Sequence, residues 1–161
     1  MRRSSTPTIL KAQRTSPRKY NTHHTGAQLR GLRYQRAVGR SLTKSLKGVG
    51  AIITSEPWFE YISRDNSGLC VCAPDFLIEY ESFTIVVEVK LTFVHSAVEK
   101  LLGIYVPVVN CALLRDGCCP LVITKTLTPS APLTITRISQ ALGAKEVPVL
   151  QWLGRGSPIS W

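Results

Sequence analysis

The first 47 residues of this 161-residue chain contain no aspartate and no glutamate. The same stretch holds twelve lysines and arginines, whereas the remaining residues hold eight basic and ten acidic side chains. The net charge of +10 therefore arises entirely in the first third of the chain. Such an asymmetry is typical of proteins that bind a polyanion, so we expect a nucleic acid as the partner, with an anionic membrane surface as the second candidate.

Long hydrophobic runs are also missing. No apolar stretch approaches the roughly 18 residues that a membrane-spanning helix needs. The residues after Met1 are arginines and polar residues, without the apolar segment of a secretory signal. We therefore expect a cytoplasmic protein that is not embedded in a membrane. The composition, 44% hydrophobic and 19% charged, is that of a globular protein, and the length predicts a single domain.

The five cysteines include no CxxC pair. Their odd number and the expected cytoplasmic location argue against a disulfide framework. Cys70 and Cys72 share a face of a predicted strand, and together with Cys118 and Cys119 they are the alternative ligands for a metal. Buried thiols are the preferred interpretation, because free cysteines are common in cytosolic cores.

Residues 1–26 are rich in Ser, Thr, Pro, Arg and Lys and show no periodicity. We expect them to form a flexible basic arm, followed by one domain over residues 27–161. A helical pattern extends from about residue 28 to residue 47. One of its faces would pack on a core, through Gln35, Val38, Leu42 and Leu46. The other face is basic, and with one preceding arginine it supplies the residues that we expect to contact phosphates: Arg30, Arg33, Arg36, Arg40, Lys44 and Lys47.

Two other interpretations of this basic face remain open. It could be merely solvated, although no acidic residue is interspersed to form the ion pairs typical of such faces. It could also lie on a membrane surface, although its apolar side contains valine and leucine without tryptophan or phenylalanine.

The pattern that follows the helix predicts an α/β fold in which helices pack on a mixed sheet. We expect two β-prone stretches at residues 51–54 and 58–62, or one long strand broken near Pro57. A second strand is expected over residues 69–80, interrupted by Pro74, and a third over residues 83–93. A helix is expected from residue 96, with a kink or a second helix at Pro107. A short strand over residues 121–125, a helix over residues 132–142 and a small strand in the tail complete the prediction.

Three charged residues stand in the otherwise apolar second and third strands. Glu88 and Lys90 are two residues apart, so they project from the same face. A tight turn at residues 81–82 would place Asp75 beside Glu88 across the hairpin. Burying such charges is costly unless they pair or bind a metal, and two carboxylates suit Mg²⁺, which also binds substrate phosphate. A buried ion pair with no further role is the alternative.

Pro74-Asp75, a twelve-residue gap and Glu88-Val89-Lys90 resemble the PD-(D/E)XK signature of the restriction-endonuclease-like nuclease superfamily. The order of elements over residues 28–126 is also similar to the common core of that superfamily. The resemblance implies an αβββαβ core, with a mixed central sheet flanked by helices. It also implies a DNA nuclease that depends on Mg²⁺ or Mn²⁺ and hydrolyses phosphodiester bonds, of a structure-selective or repair type with sequence-independent DNA binding.

The same resemblance implies a role for each residue of the motif. Asp75 and Glu88 would be metal ligands together with the backbone carbonyl of Val89, and Lys90 would act on the attacking water and the scissile phosphate. Many members carry an acidic residue on the first core helix. The matching position here is Gln35, which offers an oxygen but no charge.

The uncharged Gln35 leaves a second function open, a DNA-binding module that keeps the nuclease fold without catalysis. Tyr105, in the helix after the third strand, is expected to pack in the core rather than to contact DNA. A homodimer is plausible, because two active sites are the usual way to cut both strands. The resemblance favours a protein of a bacterium or its phage, located in the cytoplasm of the bacterial or phage-infected cell.

Overall fold

The structure, a computed structural model, describes residues 7–17, 24–143, 147–154 and 159. Eight strands are present in this part of the chain: β1 (Ile9–Thr15), β2 (Ile52–Ser55), β3 (Trp58–Ser63), β4 (Asn66–Cys72), β5 (Phe76–Glu79), β6 (Thr84–Thr92), β7 (Cys119–Thr126) and β8 (Val149–Gln151). The helices are α1 (Gly26–Ser45), α2 (His95–Lys100), α3 (Val106–Leu113) and α4 (Ala131–Ala141), and a π-helical turn, Leu101–Tyr105, joins α2 to α3.

Five strands form a mixed sheet in the order β2-β5-β6-β7-β8. Strands β2, β5 and β6 pair antiparallel, whereas β6, β7 and β8 pair parallel. On one face, Val87 of β6 packs with Val38 and Leu42 of α1. On the other face, Val86 packs with Val109 of α3 in the second core cluster. The expected α/β architecture, a mixed sheet flanked by helices, is therefore confirmed.

The remaining strands form a separate three-stranded sheet in the order β1-β3-β4. The two stretches predicted at residues 51–54 and 58–62 are confirmed as β2 and β3, and the alternative of one broken strand is wrong, because β2 and β3 belong to different sheets. The single strand predicted over residues 69–80 is also wrong, because β4 and β5 belong to different sheets. The chain leaves β2 at Glu56, which has a left-handed backbone with φ 47°, and Pro57 follows. Proline cannot donate to a strand ladder, so Pro57 and Pro74 end the pairing, and the β3–β4 hairpin is inserted between β2 and β5.

Strand β1 lies within the segment that we expected to be a flexible arm. It pairs antiparallel with β3, with Lys11 opposite Ile62 and Thr15 opposite Trp58, and Ile9 packs against the core. This pairing is distant in sequence, so the local composition did not indicate it. The rest of the expected arm, residues 1–6 and 18–23, lies outside the described residues. Deleting residues 1–26 would remove a strand, so the role of the basic charges has to be tested by substitution.

Helix α1 begins earlier than the periodicity predicted, because a capping arrangement starts it. The side chain of Gln28 accepts a hydrogen bond from the backbone N–H of Thr25, at 2.8 Å. A threonine followed three residues later by glutamine is a typical helix start.

Tyr34, which the pattern did not place in the core, is buried, and its hydroxyl donates a hydrogen bond to the carbonyl of Trp152 at 2.8 Å. Burial raises the pKa of Tyr34 to about 12.

On the other face, where α4 also packs, α2, the π-helical turn and α3 form one continuous helical segment, His95–Leu113. Among the described residues it alone is long and apolar enough to cross a membrane, and 44% of its apolar window is buried inside the fold. Length and apolar composition alone do not distinguish a membrane span from the core helix of a soluble protein. The second helix predicted at Pro107 is confirmed as α3, which has Pro107 in its first turn and follows the π-helical turn without a break. A π-helical turn often marks a functional region.

Gly39 of α1 is expected to be a position where alanine is destabilising. A Cβ atom there would lie 2.9 Å from two ring atoms of the buried Phe76, whereas at Gly31 on the same helix no heavy atom lies within 4 Å. Gly31→Ala should raise the free energy of unfolding by up to about 1 kcal/mol through helix propensity. Gly39→Ala should lower it by about 1–2 kcal/mol, because the methyl group overpacks the core. Urea denaturation of both variants measures this difference, and equal stabilisation would contradict the close contact.

Candidate active site

The β5–β6 hairpin brings Asp75 next to the third core strand. The turn is closed by a hydrogen bond from the N–H of Tyr80 to the carbonyl of Phe83, at 2.9 Å. Phe76 is paired with Val87, so Asp75, one residue before β5, lies at the level of Glu88. Its Oδ2 accepts a hydrogen bond of 2.6 Å from the backbone N–H of Val89. The backbone of the motif itself therefore fixes the Asp75 side chain.

Glu88 and Lys90 form an ion pair that is buried at one end and open at the other. The Nζ atom of Lys90 lies 2.6 Å from Oε1 of Glu88. The Glu88 side chain is only 2% exposed, whereas the Lys90 side chain is 35% exposed. The structure thus brings Asp75, Glu88 and Lys90 together, as the strand register predicted. Their metal-binding and catalytic roles remain predictions.

The environment of Asp75 disfavours its charged form. Its pKa is raised from 3.8 to about 7, first because the carboxyl group is buried and second because of the charge of Glu88. The hydrogen bond from Val89 and the charges of Lys90 and Lys100 act in the opposite direction but are outweighed. Two carboxyl groups therefore lie beside the ammonium groups of Lys90 and Lys100, and a further cation bound at Asp75 would favour its charged form.

Lys100 is a second cation near this site, and sequence analysis missed it. Its Nζ lies 4.9 Å from the centre of the Tyr105 ring, a cation–π distance, and its charge lowers the pKa of Asp75. Residues five apart do not share a face of an α-helix, but the π-helical turn over Leu101–Tyr105 brings these two together. Tyr105 is buried in the core, as expected. Its pKa is raised, chiefly by that burial.

Gln35 does not contact the carboxylates directly. Its Nε2 donates a hydrogen bond of 3.2 Å to Oε1 of Glu56, and in the described part of the chain no hydrogen bond joins it to Asp75 or Glu88. The backbone N–H of Glu56 in turn donates to the carbonyl of Asp75, at 2.9 Å. Glu56 is thus the link between α1 and the site. A non-glycine residue with positive φ is often found at a functional site, but no sequence pattern around Glu56 indicates that backbone conformation.

A divalent cation would find two donor side chains here. No group of three or more His, Cys, Asp or Glu that could hold a metal occurs within the described ranges. Asp75 and Glu88 are hard oxygen donors that would leave most positions to water and substrate, as Mg²⁺ prefers. The residues therefore fit a cation bound jointly with a phosphate.

All five cysteines are free thiols, and the alternative cysteine metal site has no support among the residues described.

The six basic residues that we expected to contact phosphates, five on α1 and one just after it, are all exposed, namely Arg30, Arg33, Arg36, Arg40, Lys44 and Lys47. None of them forms an ion pair with an acidic residue in the part of the chain that the structure describes. Their charges are therefore directed to solvent and not consumed by the fold, which is what binding of a polyanion requires.

Comparison with models of known protein families found no match for this chain, and comparison with curated proteins found none either. Function therefore has to be inferred from the side chains of the site and from their surroundings.

Proposed function

We propose that this chain is a metal-dependent DNA nuclease of the PD-(D/E)XK type. The observation that carries the proposal is the joint placement of Asp75, one residue before β5, with Glu88 and Lys90 of β6. It combines a partly buried and a fully buried carboxyl group with an ammonium group that reaches solvent. The order α1, β2, β5, β6, α2–α3, β7 around the mixed sheet supports a restriction-endonuclease-like αβββαβ core, with the β3–β4 hairpin as an insertion.

In this proposal, Asp75 and Glu88 hold a Mg²⁺ or Mn²⁺ ion, with the carbonyl of Val89 as a further ligand. A bound divalent cation supplies charge stabilisation at the phosphate and lowers the pKa of a water molecule. The hydrogen bond from the N–H of Val89 to Asp75 orients the carboxylate before substrate arrives. Glu88 holds the Lys90 ammonium at the open end of the site, where it meets the attacking water and the scissile phosphate.

Two further groups support this reaction. Lys100, held over the ring of Tyr105, adds positive charge for a neighbouring phosphate. Gln35 acts through Glu56, whose backbone is bonded to that of Asp75, and so positions the carboxylate segment instead of binding the cation itself.

The basic face of α1 holds the DNA backbone without reading its sequence, because lysine and arginine contacts to phosphates carry no base information. A second copy of the chain would serve the second strand of a duplex. The cytoplasm of a bacterium or a phage-infected cell is the location in which such a nuclease would act.

The test is cleavage of labelled duplex, single-stranded and four-way-junction DNA in the presence of Mg²⁺, Mn²⁺ or EDTA. Wild type should cut only with metal, and Asp75→Ala and Lys90→Ala should each cut at least about 100-fold more slowly. Arg137→Gln, an exposed arginine on α4, is the control and should cut at the wild-type rate. Binding of each variant to DNA in EDTA shows that the protein is folded and competent.

A wild-type protein that binds DNA in a salt-sensitive manner but never cuts it would contradict the nuclease. It would favour the second candidate, a DNA-binding module with a nuclease fold. That alternative is favoured by one observation: position 35 holds an uncharged glutamine, whose side-chain amide is hydrogen-bonded to Glu56.

A further inference from the structure

A groove of about 870 Å³ lies between α1 and the edge strand β2. It is built mainly from two elements, because α1 crosses the sheet and β2 has a neighbour on one side only. The residues that give the groove its chemistry are Gln35, Arg36, Arg40, Ile53, Glu56 and Trp58. None of the six belongs to the carboxylate motif.

The lining of this groove is divided into three chemical zones. Arg36 and Arg40 are exposed guanidinium groups along its α1 side, and guanidinium groups bind phosphates in bidentate fashion. Ile53 and Trp58 supply apolar and aromatic surface, which accepts a flat heterocycle by stacking. A nucleotide combines these requirements, since it has an anionic phosphate and a flat base.

The third zone, the carboxylate of Glu56, determines the orientation in which a nucleotide binds. Glu56 carries a carboxylate, held by the side chain amide of Gln35 at 3.2 Å. A carboxylate repels a phosphate but accepts hydrogen bonds from the N–H groups on the edge of a base. The base edge therefore belongs at Glu56, and the phosphates belong at Arg36 and Arg40.

The groove and the carboxylate site adjoin each other at the start of β5. Phe76 lines the groove and directly follows Asp75 in the chain, and the N–H of Glu56 donates to the Asp75 carbonyl at 2.9 Å. Phe76 belongs to the core cluster on the α1 face of the sheet, whereas Leu77 belongs to the cluster on the opposite face. By strand alternation the side chain of Asp75 is on the same face as Leu77. A DNA strand that reaches both places must bend around this end of the sheet.

A base that is paired and stacked in a duplex cannot enter such a groove, because its edge is already engaged with the opposite strand. We propose that the groove binds one unpaired nucleotide of the DNA strand that is cut, with its base between Trp58 and Glu56 and its phosphates at Arg36 and Arg40. The preferred substrate is then DNA with an unpaired segment next to the scissile bond. This inference rests on the proposed function for the identity of the strand.

The experiment measures binding in EDTA, without cleavage, of a labelled short oligothymidylate and of a blunt duplex of equal length. Wild type should bind the single strand more tightly than the duplex. Arg40→Gln should lower the ratio of the two affinities about tenfold. Lys47→Gln is the matched variant, because Lys47 is an exposed basic residue just after α1 that does not line the groove, and it should weaken both affinities alike. Equal effects of the two variants on the ratio would overturn the inference.

Tryptophan emission gives a second, independent readout. Oligothymidylate should quench the emission of wild type, and most of this quenching should be absent from Trp58→Phe, which keeps an aromatic ring in β3. Quenching that persists in Trp58→Phe would overturn the placement of the base. If wild type does not cleave DNA but shows a preference for the single strand that depends on Arg40, only the proposed nuclease is refuted. If it cleaves DNA without that preference, only the proposed nucleotide site in the groove is refuted.

Discussion

Lys90→Met should lower both the stability and the activity of the protein, and adding Glu88→Gln should restore the stability alone. Glu88 is almost completely buried, and Lys90 is its ion-pair partner at 2.6 Å. Methionine keeps the apolar stem but leaves a buried carboxylate without its cation. We expect a loss of about 3 kcal/mol, at the lower end for broken buried pairs because Lys90 itself is partly exposed. In the double variant both groups are neutral, so most of this loss disappears.

The two variants are compared by urea denaturation in EDTA and by cleavage with Mg²⁺. Cleavage should remain at least about 100-fold below wild type in the double variant, because the ammonium and one carboxylate are both missing. Lys125→Met, which replaces an exposed lysine on the neighbouring strand β7, should change neither quantity. A double variant that regains cleavage would show that the pair serves only the fold.

The proximity of Asp75, Glu88 and Lys90 could be predicted from the sequence because it depends on local geometry. Side-chain alternation places Glu88 and Lys90 on one face, and the short turn sets the register with Asp75. Neither requires knowledge of distant parts of the chain. Their chemical roles are a separate matter, since a purely structural ion pair produces the same sequence pattern.

The division of the strands into two sheets could not be predicted in this way. Pro74 was interpreted as an interruption within one strand, and for Pro57 one broken strand was an alternative, whereas each proline lies between strands of different sheets. Proline indicates where a ladder stops, but the next partner is determined by long-range packing. Strand β1 is the clearest case, because Lys11 and Thr15 pair with a strand that follows α1. A short polar stretch becomes a strand there only through this partner.

The contacts that sequence analysis missed around the site share a second cause, a departure from regular backbone geometry. Lys100 and Tyr105 come together through a π-helical turn, and spacing rules for an α-helix place them on different faces. Glu56 connects Gln35 to Asp75 from a left-handed backbone position. Such conformations are unfavourable locally and are maintained by the surrounding structure.

Asp75→Asn should make the protein more stable and inactive. The pKa of Asp75 is about 7 in the folded protein against 3.8 without the fold, so the folded state binds this proton more tightly. The stability of wild type should therefore fall as the pH rises from about 4 to about 7 and stay low above that. Asparagine does not ionise, and its amide oxygen can still accept the hydrogen bond from Val89. At pH 8 in EDTA, the variant should be more stable than wild type by about 1–3 kcal/mol.

Thermal unfolding between pH 4 and pH 8 measures the difference in stability between Asp75→Asn and wild type. Asp65→Asn, at an exposed turn, is the control and should show no such difference. This difference in stability should vanish near pH 4, where the Asp75 carboxyl group of wild type is protonated. At pH 8, Mg²⁺ should raise the melting temperature of wild type more than that of Asp75→Asn, because only the carboxylate attracts the cation. An asparagine variant that is less stable than wild type at pH 8 would contradict the prediction. If the carboxylate of Asp75 served only the fold, its replacement would lower the stability of the protein. Gain of stability together with loss of cleavage is instead the behaviour of a group retained for chemistry.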